Sequence, residues 1–302
     1  MNKISSNQKQ TEDTFSYKWK KRSTYESPAM LKKIKKWYLK KYFDGNINNL
    51  ETILQTDNKN GRKFILDAGC GSGMSGLLIF KDYLKDHNYL GIDISDSITT
   101  AKKRFDENDV VGEFVKCDLN AIPEKYGNFD IIFSEGVMHH TDSVENSIKY
   151  LSSRIKKNGK FIFYVYSKKA PIREFSDDFI RHSIKNLSNE EAWNNLYSIT
   201  KLGNKLGELN IDIEIDEDIP ILGIKKGKHN LQRLFYYKFL KSFYSHELSL
   251  DEMNHINFDW FRPLNCFRHT SSEIKEFCLK SSLKIDRVYE DESGISIIAT
   301  RK

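Results

Sequence analysis

Cysteine is scarce in this chain: there are 4 in 302 residues, at Cys70, Cys117, Cys266 and Cys278, with no C-x-x-C spacing. That scatter excludes a disulfide framework and a zinc-ligand pattern, so no metal is expected and a reducing compartment fits best. No apolar run approaches the roughly 20 residues of a membrane span. The N-terminus is polar and carries no apolar signal region. A soluble, cytoplasmic protein is therefore expected. The charge excess is also slight, a net +6 concentrated in the first forty residues, and it does not by itself mark a nucleic-acid binder. No internal repeat or low-complexity tract is present. What the chain does have is 39% hydrophobic and 13% aromatic residues, enough for a packed core and too much for wholesale disorder. Its length accommodates one large domain, or a core domain with an insertion.

The most informative stretch is Phe64-Ile65-Leu66-Asp67-Ala68-Gly69-Cys70-Gly71-Ser72-Gly73-Met74. An apolar run leads into an acid, then glycines at every second position, then an amphipathic segment. The pattern predicts a buried parallel strand, a tight turn and a helix start. Glycine is needed where a side chain would hold the backbone away from a ligand, and the N–H groups of such a turn face that ligand. The G-x-G-x-x-G of a dinucleotide site is missing, and so is the Gly-Lys-Ser/Thr of a phosphate-cradling loop. Further strands are predicted at 89–94, 113–118, 130–134 and 160–166, alternating with helices at 74–86, 96–105 and 143–157. Such alternation implies a parallel sheet with helices on both faces, whose ligands sit beyond the carboxyl ends of the strands. Asp93 closes the second strand and is placed to accept hydrogen bonds from ribose hydroxyls. Asp118 closes the third. Each acid alone reads equally well as a turn or capping aspartate. Three at successive strand ends point to a nucleoside-like ligand.

The Asp-x-Gly-x-Gly-x-Gly run resembles motif I of the class I S-adenosylmethionine-dependent methyltransferases. The resemblance implies that Asp67, Gly69, Cys70, Gly71 and Gly73 hold the methionine part of the cofactor, with Asp67 near its ammonium group. It further implies that Asp93 and Ile94 take the ribose, that Asp118 and Leu119 take the adenine, and that Ser134 and Glu135 complete the cofactor contacts. The run Ser134-Glu135-Gly136-Val137-Met138-His139-His140-Thr141-Asp142 resembles motif IV of small-molecule members. It lacks the Asp/Asn-Pro-Pro-aromatic run of enzymes that methylate exocyclic amines of nucleic-acid bases. Glu135 and one histidine are expected near the reacting methyl. His139 is the first choice of general base, because imidazole accepts protons near neutral pH; His140 is read as a second candidate or a packing residue. Thr141-Asp142 caps the following helix.

The expected fold class is α/β: a doubly wound, seven-stranded, mostly parallel sheet with the last strand antiparallel. Its expected parts are an N-terminal extension (1–61), a cofactor-binding core (62–166), a mainly helical insertion (167–266) and a C-terminal helix with a strand pair (267–302). Residues 1–14 read as frayed. Ser27-Pro28 reads as a helix start, opening an amphipathic helix that either packs on the core or closes over the cofactor as a lid. A membrane-surface helix is the weakest reading of it. In the insertion, Ser188 to Glu191 reads as a capping box, 210–219 as an exposed strand and 229–244 as a buried helix. Two segments of dense polarity, 168–181 and 258–270, leave and rejoin the sheet at its ligand-facing end. They read either as solvated surface charge or as a substrate site formed by Tyr17, Tyr166, Arg173, Asp177, Arg262, Arg268 and His269, with the arginines holding an anion. The pairing resembles bacterial methyltransferases of sugar, polysaccharide or natural-product pathways.

The function so implied is methyl transfer from S-adenosylmethionine to oxygen or nitrogen of a small, anionic metabolite. One alternative is an RNA or protein methyltransferase docking through the basic N-terminal helix, and another is a cofactor-binding module without catalysis. No nucleic-acid or membrane partner is expected; a homodimer stays open.

Overall fold

The computed structural model describes residues 4–21, 26–55 and 61–302. The apolar runs become the strands β1 (Phe64–Ala68), β2 (Asn88–Asp93), β3 (Glu113–Lys116), β4 (Phe129–Glu135) and β5 (Ile155–Tyr166). After them come β6 (Asp212–Ile215) and β7 (Gly227–Asn230), then β8 (Leu283–Glu290) and β9 (Gly294–Arg301). Seven strands form one sheet in the order β3-β2-β1-β4-β5-β9-β8. The first five are parallel, and β9 runs antiparallel between β5 and β8. The order reverses between β1 and β4, and a ligand of such a sheet sits beyond the strand ends at that reversal. The strand pair β6–β7 forms a separate antiparallel ribbon inside the insertion.

The helices are α1 (Ser6–Lys20), α2 (Pro28–Phe43), α3 (Asn48–Leu54), α4 (Met74–Phe80), α5 (Ser97–Asp106), α6 (Val144–Ser153), α7 (Pro171–Ile184), α8 (Asn189–Leu209), α9 (Leu231–Lys238), α10 (Leu250–Phe261) and α11 (Ser271–Lys280). Two apolar layers hold them to the sheet. One joins the face carrying Ile65, Ile131, Phe133 and Ile162 to α2, α4 and the insertion. The other joins Leu66, Ile132, Phe161 and Phe163 to α6 and α11. Burying such side chains stabilises by about 1.5–3 kcal/mol each. The cap signals act as read: Ser27 Oγ accepts from Met30 N at 3.2 Å, and Ser188 and Thr270 each make both bonds of a capping box. Among the described residues no helix is long and apolar enough to cross a membrane.

Four local expectations need correction. Residues 6–14 are not frayed but form most of α1, whose buried residues are Gln8, Thr11, Thr14 and Lys18. A polar buried face gives no hydrophobic period, so the sequence carries no sign of it. The helix expected over 229–244 covers only α9, and the chain continues irregularly to Ser249. The helix expected to reach residue 86 ends at Phe80 and passes into a short 3₁₀ turn. Finally, β3 stops at Lys116, so Asp118 stands on the loop beyond it.

Candidate active site

The carboxyl ends of β1, β2, β4 and β5 open into a cavity of about 520 Å³. Its floor is the glycine turn. Gly69, Gly71 and Gly73 have φ of 85°, 52° and 76°, a region that side-chain-bearing residues seldom enter. A Cβ at Gly71 would lie 3.0–3.1 Å from the Trp19 indole on α1. The turn is therefore both conformationally and sterically reserved for glycine. Gly69 and Gly71 line the cavity. Gly73 instead packs beneath, against Ala101 and Phe105.

Asp93 fastens this floor to β2. Its Oδ2 accepts from Gly71 N at 2.9 Å, and its Oδ1 accepts from Ser95 N at 2.8 Å. Asp118 Oδ1 accepts from Asn120 N at 2.8 Å, and its second oxygen has no hydrogen-bond donor among the described residues. Both acids line the cavity, as do Ile94, Leu119 and Glu135. Asp67 does not. It is buried beneath the turn, where Oδ2 accepts from Tyr89 Oη at 2.6 Å, and burial raises its pKa to about 7. Cys70 and Ser134 are likewise buried structural residues; Ser134 Oγ donates to Ala68 O at 2.9 Å.

Glu135 receives hydrogen bonds from Lys41 Nζ and Tyr42 Oη, both on α2. The Lys41 ammonium stands 3.4 Å from the Trp37 ring centroid and 3.9 Å from that of Tyr164. Burial lowers its pKa to about 8 even though Glu135 opposes the shift. Helix α2 is thus tied directly to the motif that ends β4.

The adjacent histidines face different surroundings. His139 is fully buried, lies stacked on Tyr166 with centroids 3.6 Å apart, and has no partner on either ring nitrogen. It is not among the cavity-lining residues. His140 is. Its Nδ1 lies 2.7 Å from Asn265 O, and because a carbonyl only accepts, Nδ1 carries the hydrogen and Nε2 is left with the lone pair. That Nε2 is unpartnered. Burial drives both imidazoles below their ordinary pKa, His140 to about 4 and His139 well below the usual range, with the charge of neighbouring His140 adding to the effect. The order of preference from sequence is therefore reversed: His140 reaches the cavity and His139 does not.

The expected anion cradle does not assemble either. Arg173 Nε donates to Asp177 at 2.7 Å, and Asp177 also receives Trp260 Nε1 at 2.8 Å. Arg262 Nε donates to Asn189 at 2.9 Å and its Nη2 to Leu187 O at 2.8 Å. Arg268 bonds Glu174 and Asp178, each at 2.6 Å. His269 sits 3.9 Å from Glu273. Tyr17 packs on Phe258. None of these lines the cavity; of the expected substrate residues only Tyr166 does, with its hydroxyl 3.0 Å from Asp259. The far wall takes Trp19 of α1, which the lid reading of the sequence placed beside Tyr17 as a ligand contact, and residues that sequence reasoning missed: Phe15 and Lys18 of α1, Trp37 of α2, and Arg233, Tyr236, Tyr237, Lys241 and Phe243 around α9. Asp259 of α10 joins them, paired with Lys18. Lysines and tyrosines as far apart as Lys18 and Lys241 in the sequence carry no local signal of convergence.

The arrangement suits S-adenosylmethionine. Glycine backbone forms the floor, carboxylates stand where hydroxyl and amine donors would meet them, and aromatic rings suit a sulfonium cation. Residues 65–159 match the model of a methyltransferase domain. Over 126 residues the chain is 32% identical to an uncharacterized protein of Synechococcus, a match spanning 39% of this chain and 29% of that one. Over 118 residues it is 31% identical to the 18S rRNA (guanine(1575)-N(7))-methyltransferase of Saccharomyces cerevisiae, covering 35% of this chain and 41% of the relative. The chain thus spans less than half the length of either. In fold, it superimposes on magnesium protoporphyrin IX methyltransferase from Synechocystis, solved with bound S-adenosylmethionine, with a TM-score of 0.51 over 100% of both chains at 12% identity. Residues 65–159 thus carry a methyltransferase domain, with its glycine floor at the reversal of a seven-stranded sheet of the fold seen in that S-adenosylmethionine-bound enzyme.

Proposed function

We propose that the protein moves a methyl group from S-adenosylmethionine to an oxygen or nitrogen of a small molecule held in the enclosed half of the cavity. The observation that carries this reading is the far wall. Two N-terminal helices and the insertion carry Trp19, Trp37, Tyr236 and Phe243 over the strand ends, so that aromatic rings enclose part of the cavity. Asp93 and Asp118 would hold the ribose and adenine, and the turn at Gly69 and Gly71 the amino-acid end. The bound cofactor supplies an electrophilic methyl group. The chain supplies orientation of the acceptor and exclusion of water, which account for most of the acceleration of an in-line displacement. His140 Nε2 takes the proton of a hydroxyl acceptor, while Asn265 O keeps the ring in the required tautomer. A base of pKa near 4 is weak, so alignment outweighs it.

The test is methyl-labelled cofactor with size-fractionated cell extract. Label is expected in the low-molecular-mass fraction; label confined to RNA or protein would overturn the reading. An RNA acceptor is the second reading, favoured by the rRNA-methylating relative. It requires RNA affinity that falls steeply with salt.

A further inference from the structure

Four cations line the cavity, and two of them are compensated. Lys18 is paired with Asp259, and Lys33 donates to Ser245 Oγ at 2.7 Å with Glu247 at 3.9 Å. The other two, Arg233 and Lys241, have no carboxylate within ion-pair distance among the described residues. Arg233 spends one nitrogen on Tyr244 O at 3.0 Å. Lys241 is 8% exposed, and its ammonium makes no hydrogen bond; it lies 4.5 Å from the Trp260 centroid and 6.0 Å from that of Tyr236. The nearest acids are committed elsewhere, Asp177 to Arg173 and Trp260, and Asp259 to Lys18 and Tyr166. A buried ammonium without a counter-charge is costly and persists where something else requires it.

The residues around this pair are aromatic. The Tyr236 ring is shared by both cations, 5.9 Å from the Arg233 guanidinium and 6.0 Å from the Lys241 ammonium, while Tyr237 and Phe243, with Tyr164 and Tyr166 of β5, also line the cavity. We infer that the far end of the cavity is an anion subsite, in which Lys241 and Arg233 hold a carboxylate or phosphate carried on an aromatic body packed between the tyrosines. The inference rests on the proposed methyl transfer and specifies its acceptor: the group to be methylated lies on the body, away from the anion. The arginines singled out in the sequence for this task are replaced by Arg233 of α9 and Lys241 of the irregular stretch that follows it.

Titration supports the assignment. Burial, with Arg173 of α7 beside it, lowers the Lys241 pKa to about 7 against the opposing pull of Asp259, Asp177 and Cys266. An anion would raise that value again. Binding therefore takes up a proton above pH 7, and affinity falls as pH rises. In the free protein the unfolded chain binds this proton more tightly, so the lysine's destabilising effect is fully present below pH 7.

The experiment uses the full chain saturated with S-adenosylhomocysteine and three calorimetric probes: benzoate, phenyl phosphate and the neutral benzamide. At least one anion is expected to bind at least tenfold more tightly than benzamide, and the preferred anion distinguishes carboxylate from phosphate. Lys241→Met should weaken that anion about tenfold or more, with S-adenosylhomocysteine affinity unchanged and the melting temperature at pH 6 raised. Arg233→Met should weaken it similarly. Benzamide binding as well as both anions, or neither anion binding, overturns the subsite. So does a Lys241→Met protein that keeps the anion or melts earlier, which would make the lysine structural. Failure of the native protein to bind S-adenosylhomocysteine at all would instead overturn the methyl-transfer reading.

Discussion

The two halves of the cavity are built on different principles. The half under the sheet draws its lining from strand ends and the loops just beyond them, Gly69, Gly71, Asp93, Asp118 and Glu135. Each is placed by the strand that delivers it, and backbone does much of the work: Gly71 N is itself anchored by Asp93. The opposite half has no such frame. Phe15, Trp37, Tyr236 and Lys241 come from three separate stretches, meeting only once the insertion has folded against α1 and α2. The lesson is that the first half is a property of the fold and the second a property of this chain. Cofactor chemistry belongs to the former and acceptor choice to the latter.

Six substitutions bear on that division. The largest effect is expected from His140→Ala, which sits at the seam of the two halves. It should lower turnover on the order of 10²–10⁴-fold if the acceptor is a hydroxyl, with little change in cofactor affinity. Because burial sets the His140 pKa near 4, the acid limb of kcat/KM should fall near pH 4 rather than 6.5. His139→Ala should instead lower stability and leave the limb where it is. Equal rate losses for the two would erase the distinction drawn between them.

Next comes Lys41→Met, which cuts the tie between α2 and Glu135. Removing one member of a buried ion pair costs about 3–5 kcal/mol of stability, measured by denaturant unfolding. A loss below about 1 kcal/mol, the scale of exposed pairs, would mean the halves are not joined there. Asp118→Ala should weaken cofactor binding by about 1–3 kcal/mol in a calorimeter, without unfolding the floor. Asp93→Ala should cost at least as much and also loosen the turn, since three donors depend on it. The smallest effect on the cavity is expected from Arg268→Ala. Its partners are the half-buried Glu174 and the exposed Asp178, outside the cavity lining, so stability should fall by about 1–3 kcal/mol while turnover hardly changes. A large rate loss there would return Arg268 to the substrate site.

How much of this could be read from residues alone follows the same division. The glycine turn, the acids at or just past the strand ends and the sheet were legible because each rests on local spacing: short continuous apolar runs, alternate glycines, an acid soon after each run. Capping boxes at Ser188 and Thr270 were legible for the same reason. Asp67 misled because an acid beside a glycine turn does not announce which side of the backbone it takes; here it turns to Tyr89. His139 and His140 misled because consecutive residues in a 3₁₀ turn diverge by about a third of a turn. The arginines misled because charge density looks alike whether it is aimed at a ligand or spent within an insertion. Lys241 left no mark at all, since a lysine near aromatics is the ordinary composition of a surface helix.

Helix α1 is held beside the cavity largely by polar contacts. They include the Lys18–Asp259 ion pair and three hydrogen bonds: Gln10 to Arg262 O at 3.1 Å, Leu264 N to Gln10 at 2.9 Å, and Asn265 Nδ2 to Gln8 at 3.3 Å. Gln8, Thr11 and Thr14 would trade these for water on undocking, and a net protein hydrogen bond is worth only about 0.5–1.5 kcal/mol. Phe15 and Trp19 border the cavity, and Tyr17 packs on Phe258. Helix α2 is seated instead on Met30, Ile34, Tyr38 and Phe43, all of them buried. Hydrogen exchange should therefore find the amides of α1 faster than those of α2.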